Sequence, residues 1–335
     1  MAYIGRAWGK LLLFGEHAAV YGYPAVGLAL PETMEVEITP EGTPPEPGTM
    51  LFRPDMPPFS SMVRALETLF PPVSAGGILD RLRGGVRIMS SIPQSLGYGS
   101  SAALCSAFSR AALNILADVG IVATEQDVWR IANSLERVFH GTPSGVDTGL
   151  ATLGGIQAFY FGTSDLHSGL PSATPLPSFP FAMVTGAVPR EASTKDLVGA
   201  LRNRIEAGDS EVQRRLESLG RTAERGIEVI RDPEADHAGE IGRLATEAHA
   251  GLKSLGLSTD PLEIALDTGM DAGATGGKLS GAGGGGAFYL MFRTTEEART
   301  AYGALRKSFR RYPESAQWPL RVFEAKNGTV CRVAA

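Results

Sequence analysis

The sequence predicts a two-domain α+β protein, and three observations carry that expectation. The chain has 335 residues, enough for two domains of ordinary size. Segments of alternating and of helical hydrophobic period are interleaved along it. A Pro/Ser-rich passage, "SGLPSATPLPSFP" (168–180), separates two stretches of different texture. The expected domains are residues 1–178 and 179–335.

The elements follow in chain order. "YIGRAW", "KLLLF" and "TMEVEIT" alternate as strands, and "PEGTPPEPG" (40–48) is a loop. "FSSMVRALETLF" is a short amphipathic helix, and "GVRIMSS" is a strand that stops at Pro93. The helix running from "SSAAL" through "CSAFSRAALNILADV" is apolar on every side, which predicts burial. Thr124 caps the next helix, where Val128, Ile131, Ala132, Leu135, Val138 and Phe139 recur at helical spacing. "GGIQAFYF" returns to strand. In the second half, "FAMVTGAV" leads into several polar-faced helices between about Ser193 and Met270. The pair "GGKLS" and "GAFYLMF", a helix from Glu296 to Phe309 and a strand "LRVFEA" complete an α+β sandwich.

Composition excludes several function classes. Hydrophobic residues make up 43% and charged residues 20%, a soluble globular balance. A net charge of −5 gives no general attraction to nucleic acid or an anionic membrane. Cys105 and Cys331 can build no disulfide framework and have no metal-ligand spacing, so a reducing, cytoplasmic compartment is expected. "LLLF", between Lys10 and Glu16, is too short for a signal peptide, and no apolar run is long enough for a membrane span.

The functional signal is the placement of glycine. "PQSLGYGSSAAL" (93–104) joins a strand to the buried helix. A helix's first turn leaves N–H groups unpaired and carries partial positive charge. Gly97 and Gly99 let backbone approach a ligand closely, and Ser100 and Ser101 add hydroxyls, which makes a phosphate cradle. It is not a P-loop, because Leu follows both Gly9-Lys10 and Gly277-Lys278. "GYGSSA" formally fits a dinucleotide fingerprint. However, Pro93 breaks the preceding strand and Asp118 ends a helix, which excludes an oxidoreductase of that type. "GAGGGG" (281–286) runs into a strand instead of a helix.

Four blocks in order resemble the GHMP small-molecule kinases: "GKLLLFGEHAAVYGYPA", "PQSLGYGSSAA", "ERVFHGTPSGVDTGL" and "GGKLSGAGGGGAF". The central family motif, P-x-x-x-G-L-G-S-S-A-A, is kept except that Tyr98 replaces Leu. The resemblance implies the two-domain GHMP fold: an S5-domain-2-like N-terminal domain, a ferredoxin-like C-terminal domain and the active site in the cleft between them. It also implies ATP and Mg²⁺ as cofactors. Within the family, the first block is most similar to members that phosphorylate mevalonate at its primary hydroxyl. Ala18, Ala19 and Val20 stand where sugar-specific members carry an Asp-Tyr pair, and "VPREASTK" (188–195) strengthens the likeness. Glu247, Ala248 and His249 depart from an Asn-rich pattern.

The resemblance assigns roles residue by residue. Asp147 is the expected base for the acceptor hydroxyl, aimed by the turn Pro143–Gly145, and Lys10 is its cationic partner. Pro93, Gly97, Tyr98, Gly99, Ser100, Ser101 and Ala102 are the expected ATP-binding segment. Glu136, eleven residues before Asp147, and Ser101 are the expected Mg²⁺ ligands. Glu16, His17, Thr194, Gly283 and Gly284 are expected on the acceptor, with Arg190 or Lys195 on its carboxylate. Two other readings remain open at this point. One is a GHMP kinase of phosphomevalonate or homoserine, and the other is an inactive homologue that senses nucleotide and acceptor. Oligomeric state is open between monomer and homodimer.

Overall fold

The computed structural model describes residues 2–39, 51–52, 57–69, 85–120, 122–162 and 170–334. The loop expected at 40–48 lies outside these. Among the described residues, no helix is long and apolar enough to cross a membrane. Internal contacts group the chain into two compact units. One comprises Met1–Lys10, Glu32–Ile92 and Gly99–Gly154, the other Leu11–Pro31, Pro93–Tyr98 and Gly155–Ala335. The units thus interleave along the sequence.

The two strands expected near the N-terminus are a single strand, β1 (Tyr3–Phe14). "TMEVEIT" is the end of a longer strand, β2 (Ala25–Ile38), which carries Pro31 in its interior. Proline has no N–H to give a ladder, so it suits a strand only where none is needed. Pro31 falls between residues 25–28, which pair with β5 (Ile156–Tyr160), and residues 34–38, which pair with β4 (Val86–Ser90).

In the first unit, β4 also pairs with a two-residue strand, β3 (Leu51–Phe52). Helix α1 spans Phe59–Leu69. Helix α2 (Ser100–Asn114) is buried along most of its length, as its all-round apolar pattern predicts. It packs with α3 (Glu125–Glu136) and α4 (Val146–Leu153). Gly5 of β1 passes so close to α2 that a Cβ there would lie 2.0 Å from the Ala107 carbonyl oxygen. Thr124 caps α3 through a full capping box with Asp127.

In the second unit, β5 pairs with β6 (Ser172–Leu176). The Pro/Ser-rich passage expected to separate the two stretches therefore contains a strand. A five-stranded antiparallel sheet has the order β11 (Thr329–Val333), β10 (Leu320–Lys326), β7 (Phe181–Val188), β9 (Gly286–Phe292), β8 (Gly276–Leu279). β7 and β9 are buried at every position, which is why they read as unbroken apolar runs. The expected run of helices is α5 (Thr194–Glu206), α6 (Ser210–Arg231), α7 (His237–Ser254) and α8 (Asp260–Asp271). Helix α9 (Thr295–Phe309) opens on a capping box from Thr294 and Glu297.

Candidate active site

The first unit brings together Lys10, Gly99, Ser101, Glu136 and Asp147. Asp147 is the second residue of α4, just after Gly145, whose φ of +88° is a left-handed cap that glycine adopts without strain. The Lys10 side chain is 4% exposed, yet its Nζ lies 3.0 Å from Oδ2 of Asp147, whose own side chain is 45% exposed. A buried cation thus meets a carboxylate that reaches solvent. Gly99 makes room for this: a Cβ there would lie 2.7 Å from Lys10 Cγ.

Gly99 is also the left-handed N-cap of α2, with φ +75° and no side-chain cap. Ser100 and Ser101 open that helix, and Ala102 is buried behind them. Ser101 Oγ donates to Glu136 Oε1 at 2.8 Å and lies 3.3 Å from Nε2 of His140. Glu136 is buried, and its Oε2 has no hydrogen-bond partner among the described residues. Burial raises its carboxyl to about 7. The Asp147 charge adds to this, while hydrogen bonds from Ser101 and Cys105 and the charge of Lys10 oppose it. Among the described residues, no group of three or more His, Cys, Asp or Glu side chains is placed to hold a metal. An unsatisfied buried carboxylate oxygen beside a hydroxyl nevertheless fits a hard cation that keeps most of its waters.

The remaining candidates lie in the second unit, apart from Ser100 and Ala102. Pro93, Gly97 and Tyr98 belong there, although they adjoin Gly99 in sequence. Tyr98 is buried and its hydroxyl lies 3.0 Å from Thr185 Oγ1 of β7. Gly97 has φ +94°, and a Cβ on it would meet the Ala287 nitrogen at 3.1 Å.

Glu16 and His17 follow β1. Glu16 is buried in an ion pair with Lys278, which is wholly buried on β8 and also donates to the Leu279 carbonyl at 2.6 Å. Lys278 Nζ lies 5.7 Å from the centroid of the Tyr289 ring. The Tyr289 hydroxyl donates to the Leu13 carbonyl at 2.9 Å, and burial holds this phenol well above its ordinary range. His17 sits at φ +60°, rare for a non-glycine residue, with Nε2 3.0 Å from the Ala282 carbonyl oxygen. Burial lowers its pKa, partly offset by that hydrogen bond.

The glycine run between β8 and β9 is held by protein backbone. The Gly284 N–H donates to the Leu257 carbonyl at 2.8 Å, and the Gly284 carbonyl accepts from Glu191 at 2.7 Å. A Cβ on Gly283 would lie 2.4 Å from the Leu257 carbonyl oxygen. These glycines therefore answer first to close packing of the chain against itself. Thr194 Oγ1 accepts from Arg190 Nη1 at 3.2 Å, and both Arg190 and Lys195 are exposed.

Sequence reasoning missed Lys278 and His140. Lys278 was weighed only as a P-loop lysine, although a lysine inside an apolar strand already calls for a buried acid. His140 stands four residues after Glu136, on the same side of a continued helical turn.

Residues 61–155 match the family model for the GHMP kinases N terminal domain, and residues 233–311 match that for GHMP kinases C terminal. A mevalonate kinase of Thermococcus sibiricus is 30% identical over 312 residues, 87% of this chain and 89% of the relative. One from Pyrococcus horikoshii is 29% identical over 86% of this chain and 88% of its own length. Among solved structures, an L. major mevalonate kinase in complex with R-mevalonate superposes with a TM-score of 0.70 at 23% identity, covering 99% of this chain and 94% of that one. That likeness supports the fold, while the relatives spanning nearly the whole of both chains establish the lineage: this chain belongs to the GHMP kinase family.

Proposed function

We propose that this protein transfers the terminal phosphoryl group of ATP to the primary hydroxyl of mevalonate, giving 5-phosphomevalonate. The observation that carries the reading is the Lys10–Asp147 pair at 3.0 Å, buried on the lysine side and open on the aspartate side. Phosphoryl transfer asks the protein for positioning and charge stabilisation more than for covalent chemistry. Asp147 takes the hydroxyl proton, and Lys10 stabilises the charge that develops on the oxygen.

The segment Pro93–Ala102 receives the ATP phosphates, with unpaired N–H groups of α2's first turn and the Ser100 hydroxyl as donors. Ser101 and Glu136 would hold Mg²⁺. Bound there, the ion supplies charge neutralisation on the phosphates. On the acceptor side, His17, Thr194 and the Gly283–Gly284 backbone contact mevalonate. Arg190, whose guanidinium already lies beside Thr194, suits its carboxylate, with Lys195 the alternative on the first turn of α5. Glu16 supports His17 from within its ion pair to Lys278. The unpaired Cys105 and Cys331 favour a reducing, cytoplasmic compartment.

The test is a coupled ADP-release assay with mevalonate, phosphomevalonate, homoserine and galactose. Mevalonate should give by far the highest kcat/KM. A higher value with phosphomevalonate or homoserine would overturn the assignment of the acceptor.

A further inference from the structure

The Asp147 side chain is about half-exposed, and its ion pair to Lys10 holds only the tip of the carboxylate. Its backbone must be fixed by something else. The residue that sets it is Gly145, whose left-handed φ makes the turn and whose carbonyl starts α4. That carbonyl oxygen accepts from three donors: the Gly149 N–H at 2.8 Å, the Thr148 hydroxyl at 3.2 Å and the Trp129 indole Nε1–H at 2.9 Å. The first two belong to α4 itself. Only the indole comes from another element.

Trp129 lies on α3, and so does Glu136. Between them Asn133 presents Oδ1 at 3.3 Å to the same Thr148 hydroxyl, whose single proton it shares with the Gly145 carbonyl. Positions 129, 133 and 136 are i, i+4 and i+7, which places them within about 60° of one another around the helix. All three are buried. A single stripe of α3 therefore carries the Ser101–Glu136 hydrogen bond at one end and the anchor of the Asp147 turn at the other.

We propose that Trp129 is a positioning residue for phosphoryl transfer: its indole N–H fixes the Gly145 carbonyl, and with it the place from which Asp147 meets the acceptor hydroxyl. This rests on Asp147 being the base. Helix α3 then acts as a ruler that sets the separation of the Glu136 and Asp147 carboxylates. Removing the indole N–H leaves the Gly145 carbonyl with two donors, so the helix start survives while its external reference is lost. The consequence falls on alignment of the base, where displacement by about 1 Å can cost on the order of a hundredfold in rate.

The experiment compares Trp129→Phe, Asp147→Asn and the double variant in the full-length enzyme with Mg·ATP and mevalonate. Trp129→Phe should lower kcat by about 10- to 100-fold and change KM for either substrate by less than about threefold. The chain has three tryptophans. The slowly exchanging indole ¹⁵N–H signal lost in this variant should be that of Trp129. On the Asp147→Asn background the same change should alter kcat by less than about twofold, because there is no base left to misplace. Equal fold-losses on both backgrounds would overturn the proposal, as would a Trp129→Phe enzyme at wild-type kcat beside an impaired Asp147→Asn. An Asp147→Asn enzyme at wild-type turnover would instead remove the base, and Trp129's role with it. Should Trp129→Phe fail to fold, benzothienylalanine at position 129 keeps the shape of the ring and removes only the N–H. It should lower kcat in the same background-dependent way, and an unchanged kcat would overturn the proposal.

Discussion

Residue 99 and Lys10 share a space that only glycine leaves open. The lysine stem runs through the volume a Cβ on residue 99 would fill, 2.7 Å from Cγ, on its way to Asp147. Gly99→Ala should therefore do two things. Its φ of +75° is unfavourable for alanine, costing about 1–3 kcal/mol. The displaced Lys10 should also lower kcat more than it weakens ATP binding. Calorimetric Tm and steady-state kinetics on one preparation check both. A variant with lowered Tm but unchanged kcat would mean that Lys10 has another route to Asp147.

Asp147→Asn keeps the shape of the side chain and removes its charge and basicity. kcat should fall by about 10²–10⁴-fold, with binding of mevalonate and ATP by titration calorimetry much less affected. Lys10→Met should act similarly. The double variant should lose less than the product of the single losses, since the pair works as a unit. Single-turnover rates decide the matter.

Ser101→Ala and Glu136→Gln each take an oxygen donor or its charge from the proposed magnesium position. Both should shift the Mg²⁺ titration of activity to higher concentration and lower kcat. The unsatisfied Oε2 of Glu136 predicts a larger shift for Glu136→Gln. Unshifted magnesium curves in both variants would place the ion elsewhere.

His249 contributes acid sensitivity to the second unit. It lies between Glu263, 2.9 Å from Nε2, and the Leu279 N–H, which donates to Nδ1 at 3.4 Å. Lys253 and Ser258 bind the same Glu263 carboxylate, and Lys278 contributes a further nearby positive charge. Burial holds the His249 pKa below its ordinary 6.5, partly countered by Glu263. The unfolded chain therefore takes up this proton more readily than the folded one. Stability from this group is complete above pH 6.5 and is lost as pH falls through the lower folded value. Denaturation midpoints measured downward from neutral pH should fall for the wild type and fall less steeply for His249→Gln. Parallel curves would assign the acid limb to other groups, His17 first among them.

Much of the fold was legible because local chemistry and tertiary structure agree. The Thr124 cap, the buried α2 and the helix ending at Phe309 stand where the pattern puts them. The misses have identifiable causes. "SATPL" reads as part of a boundary passage because an edge strand can hold a proline and polar residues while β5 supplies its partner. "TVCRV" is a mostly exposed last strand with little apolar pattern to see. In the first site group, Ser101 with Glu136 and Lys10 with Asp147 come together as expected. Lys278 was hidden because its partner, Glu16, lies at the other end of the chain. The glycine run suits an approach to ligand in the sequence, and in the fold Gly283, Gly284 and Gly285 also leave room for Leu257, Leu197 and Pro189 of the chain itself.

Tyr289, sealed under Lys278 with its hydroxyl on the Leu13 carbonyl, doubles as a built-in optical gauge of breathing. A phenol held this far from water cannot ionise in place, so at alkaline pH its ultraviolet absorbance change must wait for the interior to open. Of the eight tyrosines, the solvent-accessible ones should titrate within the dead time of a stopped-flow pH jump, and the buried Tyr98 and Tyr289 should follow as slow phases, that of Tyr289 being the one lost in Tyr289→Phe. The rate of that phase would time the parting of β1 from the glycine-bearing hairpin in the resting enzyme, without a label or a denaturant.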